Sequence, residues 1–91
     1  MLQAFTKKFQ INSTDTSYQV TFFCDISNYY SHTCEILKSK VIPHDDKSFK
    51  NAFLKAQTEA KHYFNQCHCC HRWVCDYDYN ENDMMCKVCS P

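Results

Sequence analysis

Four cysteines near the C-terminus constrain this chain more than anything else in it. Cys67 and Cys70 form one C-x-x-C pair, Cys86 and Cys89 a second, and fifteen residues, His71 to Met85, separate them. Two pairs at this separation match the spacing of a four-cysteine zinc site. A C-x-x-C turn lets two thiolates grip an ion from one side. A second turn closes the tetrahedron with Zn–S bonds of about 2.3 Å. The spacing therefore predicts one zinc ion held by Cys67, Cys70, Cys86 and Cys89.

The rest of the chain explains why such a staple is needed. Ninety-one residues bury proportionally little surface, and chains of this size commonly rely on metals or disulfides. Eight cysteines supply the material. The N-terminal stretch Met1 to Lys8 has its charges after its apolar residues, unlike a secretory signal, and no apolar run is long enough to span a membrane. A cytoplasmic location is expected, where thiols stay reduced and cysteines serve metals or catalysis. A disulfide scaffold is the alternative, but adjacent Cys69 and Cys70 and the regular double C-x-x-C argue against it.

Hydrophobic patterning predicts a small α+β fold. A first strand is expected at residues 3–11, then a turn at 12–17. In the second strand Tyr18, Val20, Phe22 and Cys24 share one face by period two. Residues 27–33 read as a loop, and residues 34–42 as a third strand stopped by Pro43. Phe49, Ala52, Phe53, Ala56, Ala60, Tyr63 and Phe64 recur at three- and four-residue steps, predicting an amphipathic helix over about 46–64, capped by Asp45 or Asp46. Its apolar stripe needs the N-terminal sheet as partner. Residues 1–66 would form the antiparallel sheet of two to three strands plus helix. Residues 67–91 would form a zinc ribbon, packed with the first part as one unit. Within the ribbon, strands at 72–75 and 84–85 would pair as a hairpin between the knuckles. The chain has no glycine, so Asn12, Asn28, Asn80 and Asn82 are the candidates for left-handed turn positions.

The residues around the four cysteines have ordinary readings. Trp73 suits the ribbon's small core, Met84 and Met85 suit packing, and Arg72 and Lys87 suit solvent. His68 and His71 read as exposed knuckle residues and Cys69 as a free thiol. Cys24, Cys34 and Cys75 remain. Cys24-Asp25-Ile26-Ser27 and Cys75-Asp76-Tyr77-Asp78 share the pattern Cys-Asp-x-x. A second metal site from Cys24, Cys75 and Asp78, with Cys34 or His32 as fourth ligand, is one reading of that echo. Buried cysteines acting as small hydrophobes are the other.

From Ala60 through Phe64 to Cys67, then Arg72-Trp73-Val74-Cys75-Asp76 and the terminal Cys86-Lys87-Val88-Cys89-Ser90-Pro91, the chain resembles small bacterial zinc-ribbon proteins of uncharacterised function. The resemblance covers roughly residues 46–91. It implies zinc binding, in some members at two sites, and no known activity. The chain departs from the pattern at Ser27, at Asp78 and at His71, where glycine is usual.

A closed four-thiolate site leaves no position for the metal-bound water that zinc hydrolases use. A non-enzymatic module that binds another protein is therefore the expected function. A ribbon that binds nucleic acid, through Lys7, Lys8, Arg72, Lys87 and Tyr79, is the alternative. The formal net charge of zero and the acids Asp76, Asp78, Glu81 and Asp83 oppose it. An enzyme built on Cys69 with His68 or His71 lacks any feature that would activate the thiol.

Overall fold

The computed structural model describes residues 3–27, 30–42 and 45–90. Asn28 and Pro43, expected to turn the chain and to stop the third strand, lie outside them. Three antiparallel strands, β1 (Phe9–Ser13), β2 (Ser17–Phe23) and β3 (Ser31–Leu37), form a sheet in the order β1-β2-β3. Ile11 pairs with Val20, and Val20 with Cys34. The period-two pattern places Val20 and Phe22 of β2 with Cys34 and Ile36 of β3 in the core. The expected α+β class is the observed one.

The strand ends differ from expectation for identifiable reasons. Residues 3–7 do not extend β1. The Phe5 amide donates to Gln57 Oε1 (2.8 Å), and the Phe5 ring packs against Phe22, Phe64 and Trp73 at centroid distances of 4.9, 5.6 and 5.3 Å. Phe5 thus straps the N-terminal segment across the core. Asn12 and Ser13, read as turn, join β1 instead. The turn itself is held by Thr14, whose hydroxyl accepts from the Ser17 amide (3.0 Å). β3 begins at Ser31, inside the expected loop, where Thr33 meets Thr21 across the strands (2.9 Å between hydroxyls). It stops at Leu37 because β2 begins opposite it at Ser17. Lys38 then bonds Thr16 O, and a 3-10 turn spans Lys38–Lys40.

Helix α1 (Asp46–Ala60) starts at Asp45, whose carboxylate accepts from the Lys47 amide (3.1 Å). It lays Phe53 between Phe9 and Phe22, and Phe49 edge-on to Tyr18. Phe53 is 1 % exposed, and truncating such a phenylalanine to alanine costs about 3–5 kcal/mol. Ala56 and Ala60 let the helix approach β3 closely enough for the Cys34 thiol to donate to Ala56 O (3.5 Å). The expected final helical turn is a 3-10 turn, Lys61–Tyr63, after which Phe64 is extended (φ −129°). That tightening is common at helix ends.

The cysteine-rich segment pairs differently from the expected ribbon hairpin. β4 (Asn65–Gln66) pairs with β5 (Trp73–Val74), and β6 (Tyr79–Asn80) pairs with β7 (Met85–Cys86). A 3-10 turn, Asp76–Asp78, separates the two hairpins. β5 cannot pair with β7 because both its edges are taken. β4 holds one, and Asp25 holds the other by donating to Trp73 O (3.0 Å) and accepting from the Trp73 amide (2.9 Å). The step from residue 66 to 67 therefore falls inside a hairpin. One continuous core runs from Val20, Phe22 and Phe53 through Ala60 and Phe64 to Cys67, Val74, Cys75 and Cys86. No helix among the described residues is long and apolar enough to cross a membrane.

Candidate metal centre

The two hairpins carry the four cysteines together. The first knuckle fills the β4–β5 turn. Cys67 donates its amide to Arg72 O and accepts from the His71 amide, both at 2.9 Å. This closure forces His71 to φ 63°, the left-handed region that costs a side-chain-bearing residue about 1–2 kcal/mol. The second knuckle follows β7. Cys89 and Ser90 amides donate to Cys86 O at 3.1 and 2.9 Å. His68 N–H to Met84 O (3.1 Å) ties the knuckles to each other, with Met84 at φ 55°. The left-handed positions are thus His71 and Met84 among the described residues. None of Asn12, Asn80 and Asn82 is one of them.

The ligand atoms of Cys67, Cys70, Cys86 and Cys89 all lie within 4.8 Å of one another. Cys70 Sγ and Cys86 Sγ are 3.7 Å apart. Four sulfurs on a tetrahedron with 2.3 Å bonds to a central ion stand about 3.8 Å apart, whereas a disulfide requires about 2.05 Å. All eight cysteines are free. The donor set is positioned to bind a metal ion, and four soft sulfurs in tetrahedral reach suit zinc.

The surroundings favour thiolates at part of this set. Burial pushes the Cys67 thiol up, but the backbone N–H groups of Cys70, Cys86 and Cys69 outweigh it and hold it down at about 5. Two of these bonds, from Cys69 and Cys70, measure 3.3 and 3.4 Å. The Arg72 side chain draws Cys70 below its ordinary range in spite of burial. Cys89 moves the other way, pushed up by its bond with Cys86 and then by burial, since neighbouring thiolates cannot all carry charge without a cation among them.

Arg72 is the site residue that sequence reasoning missed. It was expected in solvent. Its Nε donates to Cys70 Sγ (3.1 Å) and its Nη2 reaches Cys86 Sγ (3.9 Å). The only sequence signal was a cation two residues beyond a knuckle cysteine. Cys69 is exposed, as a free thiol should be, and His68 and His71 are exposed as well. Trp73 packs on Phe5 with the Lys61 ammonium 5.5 Å from its ring, a packing role rather than an open platform.

The second set is only partly assembled. Ligand atoms of Cys24, Cys75 and Asp78 lie within 4.8 Å of one another, all three residues buried. Cys34 is not with them; its thiol bonds the helix backbone at Ala56. His32 is also elsewhere, stacked on Tyr63 at 3.9 Å. The position of a fourth ligand is held by Ser27. A single oxygen, Asp78 Oδ2, accepts from the Ser27 hydroxyl (2.5 Å), the Cys24 thiol (3.2 Å) and the Cys75 thiol (3.3 Å). Burial pushes the Cys75 thiol up to about 11. Burial also opposes charge on Asp78, but the hydroxyl and the two thiols outweigh it and keep its carboxyl below the usual range. The echo of Cys-Asp-x-x seen in the sequence is thus a real meeting of two segments, closed by hydrogen bonds to a carboxylate. Comparison with protein-family models, with curated proteins and with solved structures finds no match to this chain, so the metal centre is identified by its cysteine geometry alone.

Proposed function

We propose that this chain is a zinc protein whose four-cysteine centre is structural, a zinc ribbon built on two hairpins, and that it works as a non-enzymatic module binding another protein. The observation that carries the reading is the convergence of four sulfurs from two knuckles within 4.8 Å. A zinc ion there would be held by Cys67, Cys70, Cys86 and Cys89, with Arg72 offsetting part of the excess thiolate charge. Its contribution is folding free energy, about 10–16 kcal/mol apparent for zinc-finger peptides. With four thiolates bound, the ion keeps no open position for a substrate. Eight free thiols suit a reducing, cytoplasmic setting.

The exposed apolar side chains Tyr77, Val88 and Met84, 69, 59 and 49 % exposed, support a protein partner on the cysteine-bearing end. Nucleic-acid binding is the second reading, and the balance of ten basic and ten acidic residues disfavours it. Titration of the zinc-loaded chain with random-sequence DNA and RNA at low salt is expected to give no binding. A complex that weakens steeply with salt would replace the first reading by the second. Chelation is expected to remove one zinc and to abolish amide protection over residues 65–90. A chain whose protection is unchanged after chelation would remove the structural role.

A further inference from the structure

A cavity of about 600 Å³ opens where the end of the helix meets the cysteine-bearing hairpins, lined by Tyr30, His62, Tyr63, Cys75, Asp76 and Tyr77. Among these described residues, three are tyrosines and one is a carboxylate. The walls are held from behind. Tyr30 sits edge-on to Phe64 at 5.4 Å, His32 stacks on Tyr63 at 3.9 Å, and Asn65 Nδ2 donates to Asp76 Oδ1 at 2.6 Å. The Tyr77 ring already attracts a cation, since Lys87 Nζ lies 5.0 Å from its centroid. Lys87 itself does not line the cavity.

Tyrosine rings carry negative charge on their faces, and a carboxylate beside them adds to the field. A cation is therefore the complementary ligand. An ordinary ammonium is strongly hydrated and wants several acceptors in return. This cavity offers mainly ring surface and one acid. A methylated ammonium suits it better, because its charge is spread over apolar methyl groups that lose little hydration. We propose that this cavity binds a quaternary ammonium group, of the kind carried by choline-type metabolites or by a trimethylated lysine side chain, with Tyr30, Tyr63 and Tyr77 around the methyl groups and Asp76 as counter-charge. The volume exceeds that of the ammonium group alone and leaves room for the chain that bears it. The site shares no residue with the four-cysteine centre, and its test uses the zinc-loaded chain.

The test is a titration of the full chain followed by amide chemical shifts. The ligands are choline, its neutral tert-butyl isostere, and a short peptide with trimethylated or unmodified lysine, at matched ionic strength. Choline or the trimethylated peptide is expected to shift residues 30, 62–63 and 75–77 and to bind about tenfold more tightly than its uncharged or unmethylated counterpart. Binding of the peptide without choline assigns the ligand to a protein, and choline without the peptide assigns it to a metabolite. Tyr77→Leu, at an exposed residue, and Asp76→Asn, which keeps the acceptor for Asn65, should each weaken binding several-fold. Equal binding of the neutral isostere, shifts located elsewhere, unchanged affinity in both variants, or no binding of either cation would overturn the proposal.

Discussion

The molecule holds two cysteine clusters that solve the same problem in opposite ways. At Cys67, Cys70, Cys86 and Cys89, four sulfurs face each other with backbone N–H groups and Arg72 as their donors. No carboxylate among the described residues joins them, and Cys67 is held down at about 5. At Cys24, Cys75 and Asp78, two thiols donate hydrogen bonds to one buried carboxylate oxygen, with Cys75 pushed up to about 11. The first cluster is positioned to bind a metal ion, and a cation at its centre would offset the charge of its thiolates. The second is joined by hydrogen bonds to Asp78. The difference is a matter of one residue type at each end of the second set: Ser27 and Asp78 stand where two more sulfurs would have made it a copy of the first.

The largest effect should follow from breaking the first cluster. Cys67→Ser or Cys86→Ser removes a thiolate from a set that works only as four. Zinc content measured after gel filtration should fall to near zero, with loss of amide protection over residues 65–90, because most of the metal's contribution of about 10–16 kcal/mol is lost. The sheet and α1, built on Phe22 and Phe53, should keep part of their far-UV circular dichroism.

Breaking the second cluster should cost less and leave the metal in place. Asp78→Ala strands the Ser27 hydroxyl and two buried thiols without their acceptor. A loss of about 2–3 kcal/mol is expected in urea denaturation, with zinc content unchanged. A second ion present in the parent chain and absent from Asp78→Ala would erase the contrast and make both clusters metal sites.

The two clusters should also respond to pH with opposite sign. Cys75 is raised above its unfolded value, so its contribution is complete below about pH 8.5 and is lost as pH rises through about 11. Cys67 is depressed, so its contribution is present above about pH 8.5 and is lost as pH falls through about 5. Zinc release followed with a colorimetric chelator should therefore appear on acidification towards pH 5. Urea midpoints in reducing buffer should fall between pH 9 and 11 with zinc still bound. Parallel loss of zinc and stability on the alkaline side would contradict the assignment.

The smallest effect concerns the knuckle turn. His71→Gly relieves the left-handed strain at φ 63°, partly offset by the greater freedom of glycine in the unfolded chain. A net gain of about 0.5–1 kcal/mol is expected, visible as a rise of a few degrees in the thermal midpoint. A lower midpoint would mean that the His71 side chain makes a contribution larger than the strain.

The sequence revealed the parts of this fold that repeat a period or a spacing. The helix was legible because its apolar stripe persists for four turns, and β2 because Val20 and Phe22 alternate with polar neighbours. The four-cysteine set was legible because metal ligation fixes both residue type and spacing. The hairpin pairing was not. A two-residue strand such as Trp73–Val74 has no periodicity, and its partner was decided by Asp25 occupying its other edge. Nor was Phe5 readable as a strap rather than a strand residue, since its role depends on Gln57, 52 positions away. Arg72 looked like any surface cation. The left-handed positions went to His71 and Met84 rather than to asparagine, because closure of the knuckles, not local preference, sets them.

The claim that most of this rests on is that the four-cysteine cluster holds one structural zinc ion. Native mass spectrometry of the full chain, before and after chelation and beside Cys67→Ser, tests it directly. One zinc in the parent chain, none after chelation and none in the variant is the predicted result. A parent chain that carries no metal, or a Cys67→Ser chain that keeps its zinc, would contradict it.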